Sequence, residues 1–325
     1  MGILHFAGLG KSAGAVTAGL GCIKARYGQH HAQYGDIAEN LVVFTSPEIA
    51  DGTEPAFRVE HNDHLSMTVR KTWPRGEVNA LRVVTGFVKR EFPGAAVYVV
   101  TMDVNDFSAC FDAIGRATLK FHEPGQVGKH IWANITGGSN LLNAALVQMA
   151  YLSGVIGRLY YTFVADLRQH GRYLQAFSRD ERLFRYREIY ALKTRFDRRH
   201  EEVLGVLEQV DAETQGRYVT SQELLCRLKG SAPESFGDLD LPTFKRDFLN
   251  VMQGVEQLGD RVSGQQDAVR LSDDGRDILR LLRRPLFRAL VEREQLPERE
   301  VEAIISGLNI RRLDDGRVGK AVALH

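Results

Sequence analysis

Apolar residues recur along this chain with two alternating periods, and the alternation predicts the architecture. Short runs rich in β-branched and aromatic residues, at 3–7, 41–45, 95–101, 130–133 and 158–164, read as strands. Between them lie stretches with helical spacing. They cover residues 14 to 26, then 77–91 with Val78, Leu81, Val84 and Val88 on one side, then 106–121, and a last run through Leu141, Leu142, Ala145, Leu146, Met149 and Leu152. Pro93-Gly94 closes the second of these, and Asp106 is expected to cap the third. Strands alternating with helices predict an α/β domain over 1–166 with a Rossmann-like, mainly parallel, doubly wound sheet.

The pattern changes at Asp166. Residues 168–199 hold ten Lys/Arg against four Asp/Glu, so 167–199 reads as a basic helical connector. Leu183, Ile189, Leu192 and Phe196 there suggest helices able to pack on a partner chain; a solvated linker face is the plainer alternative. Residues 200–283 then show three helices, a hairpin and a helix. Val203, Leu204, Leu207 and Val210 mark the first, and Thr220 with Glu223 forms a capping-box register for the second. Pro242 opens the third, with Phe244, Phe248, Val251, Met252, Val255 and Leu258 in one stripe. The hairpin spans 261–271 and the last helix ends near Leu282. That order is α-rich and matches a winged helix-turn-helix domain. In that layout Thr243, Lys245, Arg246 and Asn250 would face a DNA major groove, and Arg261, Gln265 and Gln266 would lie on the wing. A winged helix serving only dimerisation is the alternative. Residues 284–325 read as a C-terminal helical extension, a helical hairpin packed on the wing.

Bulk composition narrows the class. The 325 residues are 44% hydrophobic and 26% charged, ordinary for a soluble globular chain, and a formal net charge of +1 offers no global pull on nucleic acid or acidic membranes. Cys22, Cys110 and Cys226 are odd in number and scattered, which argues against a disulfide framework and fits a reducing cytoplasm. Nothing suggests a signal peptide or lipid anchor. Residues 131–157 carry no charged side chain, but polar residues and glycines interrupt them, so they read as a buried strand and helix and no membrane partner is expected. The pairs His30-His31 and His61/His64 lack a metal-binding helical spacing, and no metal or cofactor is expected.

The candidate chemistry sits in two glycine-rich stretches. Asn134-Ile135-Thr136-Gly137-Gly138-Ser139-Asn140 ends one strand and starts a helix, with Ser139 or Asn140 as N-cap. Gly8-Leu9-Gly10-Lys11-Ser12-Ala13-Gly14 does the same after the first strand. If the two strands are parallel neighbours, both loops open at one carboxyl edge, where free helix amides and main chain bared by glycine would face a phosphate-bearing ligand. Such turns also serve simply to reverse the chain. A P-loop is excluded because His5 stands where its first glycine belongs, and the dinucleotide pattern G-x-G-x-x-G fails at Ala13.

The run 134–140 resembles the D-x-T-G-G-T-K loop of CRISPR-associated Rossmann-fold (CARF) domains. Residues 10–17, Gly-Lys-Ser-Ala-Gly-Ala-Val-Thr, resemble a G-x-S-x-G-x-V-T loop of some members. With the winged helix, the resemblance covers most of residues 1–283. It implies a homodimer that binds cyclic oligoadenylate, as cyclic tetra- or hexa-adenylate, across its two-fold axis in a type III CRISPR system. The ligand-binding positions carried over are Gly8, Leu9, Gly10, Lys11, Ser12, Ala13, Thr136, Gly137, Gly138, Ser139 and Asn140. Asn134 replaces an acid and Asn140 a lysine. The leading expectation is a ligand-gated regulator of double-stranded DNA. The alternative is a metal-independent ring nuclease in which Ser12 and Lys11 orient the cleaved phosphate and the winged helix holds the dimer together.

Overall fold

In the computed structural model the described residues are 2–28, 36–54, 79–122, 130–164, 184–189, 198–214, 217–254, 259–262, 265–291 and 296–313. The chain divides into two units, one of residues 1–194 with 293–325 and one of 195–292.

The first unit begins β1 (Leu4–Gly8), α1 (Gly14–Tyr27), β2 (Asn40–Thr45), α2 (Pro47–Asp51), α3 (Ala80–Glu91), β3 (Ala96–Thr101), α4 (Phe107–Phe121), β4 (Ile131–Asn134), α5 (Asn140–Ser153), β5 (Ile156–Val164) and β6 (Phe184–Ile189). Strands β1 to β5 are parallel, in spatial order β3, β2, β1, β4, β5, as the alternating pattern predicts. Alternation along each strand sorts the side chains onto two faces. Ala7, Leu41, Val43, Val97, Val99, Trp132 and Tyr160 share a core with residues of α1, α2 and α3. The other face carries Phe6, Phe44, Val100 and Leu159, with α4 and α5 packed together on that side.

Caps set the helix starts. Asp106 accepts from the Ser108 and Ala109 amides at 2.7 and 3.3 Å, and Asn79 from Arg82 at 3.0 Å. Ser46-Pro47-Glu48, whose sequence suggests only a turn, is the capped start of α2: Ser46 accepts from Ile49 at 3.4 Å and proline sits in the first helical turn.

Strand β6 departs from expectation. Residues 184–189 form β6, antiparallel to β5, so the span 167–199 is not wholly helical; Ile189 sits opposite Leu159 in this edge strand. Phe184-Arg185-Tyr186-Arg187 alternates with period two, and charged residues suit a sheet edge.

The second unit contains α6 (Arg198–Thr214), β7 (Val219–Thr220), α7 (Ser221–Ser231), α8 (Pro233–Phe236), α9 (Leu241–Phe244), a π-helical turn Lys245–Leu249, α10 (Asn250–Gly254), β8 (Gly259–Val262), β9 (Gln265–Leu271), α11 (Asp273–Leu282) and α12 (Pro285–Val291). Strands β7, β9 and β8 make a small antiparallel sheet. Thr220 caps α7 through the Glu223 amide at 3.2 Å, as the capping-box register predicts. Phe244, Phe248 and Met252 are buried as expected, but Val251 is exposed and Leu249 is buried in its place. The π turn explains this: one extra residue in the turn rotates the helix phase behind it.

The end of the chain returns to the first unit. The last described elements are α13 (Glu298–Ile305), which packs on α4, and β10 (Ile310–Arg312), which is antiparallel to β3. The seven-stranded order is therefore β10-β3-β2-β1-β4-β5-β6. This replaces the expected hairpin of helices packed on the wing. Leu286 and Leu290 stay in the second unit on α12, while Val301 is buried in the first.

Candidate functional site

Strands β1 and β4 are hydrogen-bonded neighbours with Ala7 opposite Asn134, so the chain leaves both strands at the same level of the carboxyl edge. The two glycine loops meet there. A Cβ on Gly8 would lie 2.7 Å from the Gly137 carbonyl oxygen, and one on Gly137 would lie 2.6 Å from the Gly8 carbonyl oxygen and 2.9 Å from the Ala15 Cβ. Gly138 has φ of 87°, the left-handed region that favours glycine. These glycines therefore let the loops approach each other. Beside Gly10, by contrast, the space next to the main chain is open.

The loop after β4 is tied down by its own side chains. Asn134 is buried; its Nδ2 donates to the Ala15 carbonyl at 3.1 Å and its Oδ1 accepts from the Thr136 amide at 2.9 Å. A carboxylate could not donate to Ala15, which is a physical reason for asparagine where the resembled family has an acid. Thr136 Oγ1 accepts from the Thr162 amide at 2.9 Å and lies 3.2 Å from the Thr162 hydroxyl. Ser139, not Asn140, is the N-cap of α5: its Oγ accepts from Leu142 at 3.1 Å and donates to the Val104 carbonyl at 2.7 Å. Asn140 is exposed. Among the described residues, no acceptor faces the amides of Gly137, Gly138, Ser139 and Asn140.

The loop after β1 is less committed. Leu9 is buried and its main chain is fully used, donating to Phe44 at 2.8 Å and accepting from the Thr45 hydroxyl at 2.7 Å, so it offers a ligand nothing. Ala13 is buried and begins α1 without a side-chain cap. The amides of Gly10, Lys11, Ser12, Ala13 and Gly14 meet no acceptor among the described residues. Ser12 is half-buried, and Lys11 is exposed and paired with Glu54. Exposed pairs of this kind contribute about 0–1 kcal/mol, so the lysine is cheap to redirect.

Both α1 and α5 thus aim their positive ends and free N–H groups at one edge, an arrangement that favours an anion. The titratable groups around it supply no obvious base. His5 belongs to the opposite end of β1, where it lies 2.7 Å from the Ile37 carbonyl and 3.1 Å from the Tyr160 hydroxyl. Burial lowers its imidazole to about 4, partly opposed by the Ile37 bond. Burial, then Asp106 and Asp103, push the Cys110 thiol at the start of α4 up to about 11. The described residues hold no cluster of three or more His, Cys, Asp or Glu that could bind a metal, and His30, His31, His61 and His64 lie outside them.

Glu54 and Thr162 were not among the residues singled out by sequence. A lone threonine in the apolar run Tyr160-Tyr161-Thr162-Phe163 was the available signal for the second; Glu54 carried none.

Of the expected DNA-facing residues in the second unit, Thr243, Lys245 and Arg246 already have partners. Thr243 donates its amide to the Asp240 cap at 2.8 Å. Lys245 pairs with Asp267, and Arg246 with Asp247 at 2.5 and 2.9 Å. The Lys245 ammonium, followed by the Ser221 hydroxyl, holds the Asp267 carboxyl below the usual range. Asn250 is exposed, and Arg261 and Gln265 stand in β8 and β9 opposite Val269 and Val262.

No described helix is long and apolar enough to cross a membrane. No family model matches the sequence. An uncharacterized protein of Archaeoglobus fulgidus is 25% identical over 193 residues, 51% of this chain; the match spans 59% of that relative's length. Among solved structures, Csm6 of Enterococcus italicus bound to cyclic hexa-2′-fluoro-hexa-dAMP aligns over 79% of this chain and 58% of its own, with 15% identity and a TM-score of 0.36. Protein VC1899 of Vibrio cholerae aligns over 90% of this chain and 67% of its own, with 8% identity and a TM-score of 0.32.

Proposed function

We propose that this chain is a CARF-type sensor that binds a cyclic oligoadenylate, with the ring phosphates held by the paired loops of a homodimer. The observation that carries the reading is the meeting of two helix N-termini at one sheet edge, with unaccepted amides at Gly10–Gly14 and Gly137–Asn140. Each helix start favours an anion by roughly 0.3–1 kcal/mol when exposed, and a two-fold pair doubles the set. A symmetric ring of phosphates matches that repetition. Lys11 supplies the mobile charge, exchanging Glu54 for a phosphate. Main-chain amides, not the side chains of Thr136 and Ser139, do the work of the second loop.

The second unit is read as a winged helix-turn-helix that the ligand gates on double-stranded DNA. The order of α6, β7, α7, α8, the α9 to α10 helix, the β8–β9 hairpin and α11 supports this. For Lys245 and Arg246 to touch DNA, phosphates must displace Asp267 and Asp247, so binding would be steeply salt-dependent. Gating requires the ring to prefer one arrangement of the dimer; equal affinity for both shifts nothing.

Ring cleavage is the second reading, favoured by Ser12: its hydroxyl has no partner among the described residues and it adjoins Lys11 on the uncapped loop. These two side chains would hold the phosphate while the adjacent ribose 2′-hydroxyl attacks it in line, closing a 2′,3′-cyclic phosphate and expelling the 5′-oxygen of the next nucleotide, with the 2′-hydroxyl proton passing to water and the 5′-oxygen taking one from it.

Incubation with cyclic tetra- and hexa-adenylate, followed by chromatography and by DNA-retention assays with and without ligand, separates the readings. Retention that responds to ligand indicates the regulator, and linear products indicate the nuclease. If neither ring binds, the sensor reading fails.

A further inference from the structure

The second unit, 195–292, is inserted in the first, which takes up the chain again at residue 293. The described part of the returning chain, α13 and β10 with the turn between them, lies along the β3 edge of the sheet as a strap. It is lightly held, because among residues 298–313 only Val301 is buried. Elements with so little covered surface are the ones that open locally in a folded protein.

The strap's anchors converge on α4 and β3. Arg116 of α4 donates to the Ile304 carbonyl, and Gly307 leaves room for it, since a Cβ there would lie 2.8 Å from Arg116 Nη1. Asn309 holds Thr101, the last residue of β3, twice. Its carbonyl accepts from the Thr101 amide at 3.2 Å, and its Nδ2 donates to the Thr101 hydroxyl at 2.6 Å. Ile310–Arg312 then pair with Val100, Val99 and Tyr98, and the Leu313 amide donates to the Val97 carbonyl at 2.8 Å. Just past Thr101 comes Val104, whose carbonyl accepts from Ser139 Oγ at 2.7 Å. Ser139 caps the helix whose free amides face the candidate site. The loop 101–106 therefore stands between site and strap, tied to one by Ser139 and to the other by Asn309.

We propose that the strap is the output of the candidate site. Order imposed on residues 137–140 passes through Ser139 and the loop 101–106 to the docking of α13 and β10, and so to the chain returning from the second unit. A serine hydroxyl has one proton, and here it is committed to Val104. An anion held on the main-chain amides of 137–140 restrains Ser139 without taking that proton, so it reinforces the Val104 bond instead of competing with it. Whatever orders the loop lowers the cost of ordering the strap, and by linkage the docked strap favours the occupied site equally. The part of the proposal that concerns occupancy rests on the sensor reading; the tie between Ser139 and the strap does not.

Amide hydrogen exchange of the full chain reads the strap directly. Without ligand, Ser139→Asp keeps an acceptor for the Leu142 amide but has no proton for Val104. Exchange at Thr101 and across 298–313 should then rise about fivefold, the effect of one hydrogen bond. Ser139→Thr, which keeps both functions, should exchange like the parent. So should Ser153→Ala, which removes a bonded hydroxyl at the other end of α5. Saturating cyclic tetra- or hexa-adenylate should slow exchange of 298–313 in the parent by about fivefold. Asn309→Ala, exposed and outside the site, should still bind the ring within about fivefold of the parent but lose that slowing. A strap that exchanges at the parental rate in Ser139→Asp overturns the proposal, as does a ring that binds without slowing the strap. Loosening by Ser139→Asp in a chain that binds neither ring leaves the tie standing and ends only the sensor reading.

Discussion

The loop after β4 and the loop after β1 occupy the same sheet edge and look alike in sequence, yet they are built for different tasks. In the first, Asn134, Thr136 and Ser139 each satisfy a specific neighbour, namely Ala15, Thr162 and Val104, and α5 is capped from within. In the second, α1 starts without a side-chain cap, Gly10 faces open space, and Lys11 holds only the exposed Glu54. Both loops keep unaccepted main-chain amides, but one commits its side chains as a frame and the other leaves Lys11 and Ser12 uncommitted. A motif that reads as two equivalent ligand loops therefore contains one rigid wall and one adjustable hand. The frame should report its role as stability, and the hand as ligand affinity.

The largest effect is expected at the contact between the loops. Gly137→Ala drives a Cβ into the Gly8 carbonyl and should cost about 3 kcal/mol in urea unfolding, while Gly10→Ala should stay within about 0.5 kcal/mol. Equal losses at the two positions would erase the distinction. Next comes Asn134→Asp, which faces the Ala15 carbonyl with a buried carboxylate; the expected loss is about 2–3 kcal/mol at neutral pH, shrinking as acid protonates the new group. A loss independent of pH would point to a different cause.

The far end of β1 supplies a control for the edge. His5 drops from 6.5 to about 4 in the folded chain, so the unfolded chain alone takes up the proton between those values. Its contribution is complete above about pH 7 and falls away with acid, by about 2 kcal/mol near pH 5. Thermal melts across this range should show the slope in the parent and lose it in His5→Gln. Ser139→Ala should then cost about 1 kcal/mol through the lost cap, with little change in the amides it leaves behind. The smallest stability effect belongs to Lys11→Ala, within about 0.5 kcal/mol, paired with a roughly tenfold weaker affinity for cyclic tetra- or hexa-adenylate by calorimetry. Unchanged affinity would remove the hand from the comparison.

Much of the first unit is legible because β1, β2 and β4 are buried on both faces and α3, α4 and α5 begin at side-chain caps. Asp106 there, and Thr220 in the second unit, announce their helices through side chains that act within three residues. Three features were not legible. Strand β6 hides in an arginine-rich segment because an edge strand tolerates charge, and only its partner β5 makes it a strand. Strand β10 is three residues long and exists only against β3. Leu249 replaces Val251 in the helix stripe because a π turn shifts the phase, which no count at 3.6 residues per turn foresees.

Local chemistry, written in caps, turns and hydrophobic period, was enough to set the parallel α/β frame and to locate both glycine stretches at strand ends. Whether those stretches touch, and which of their donors stay unspent, depended on β1 lying beside β4 and on neighbours contributed from residues 15, 104 and 162. Hydrogen bonds and close backbone approaches between segments far apart in the chain leave no local trace, so the division into frame and hand arises only when the sheet assembles.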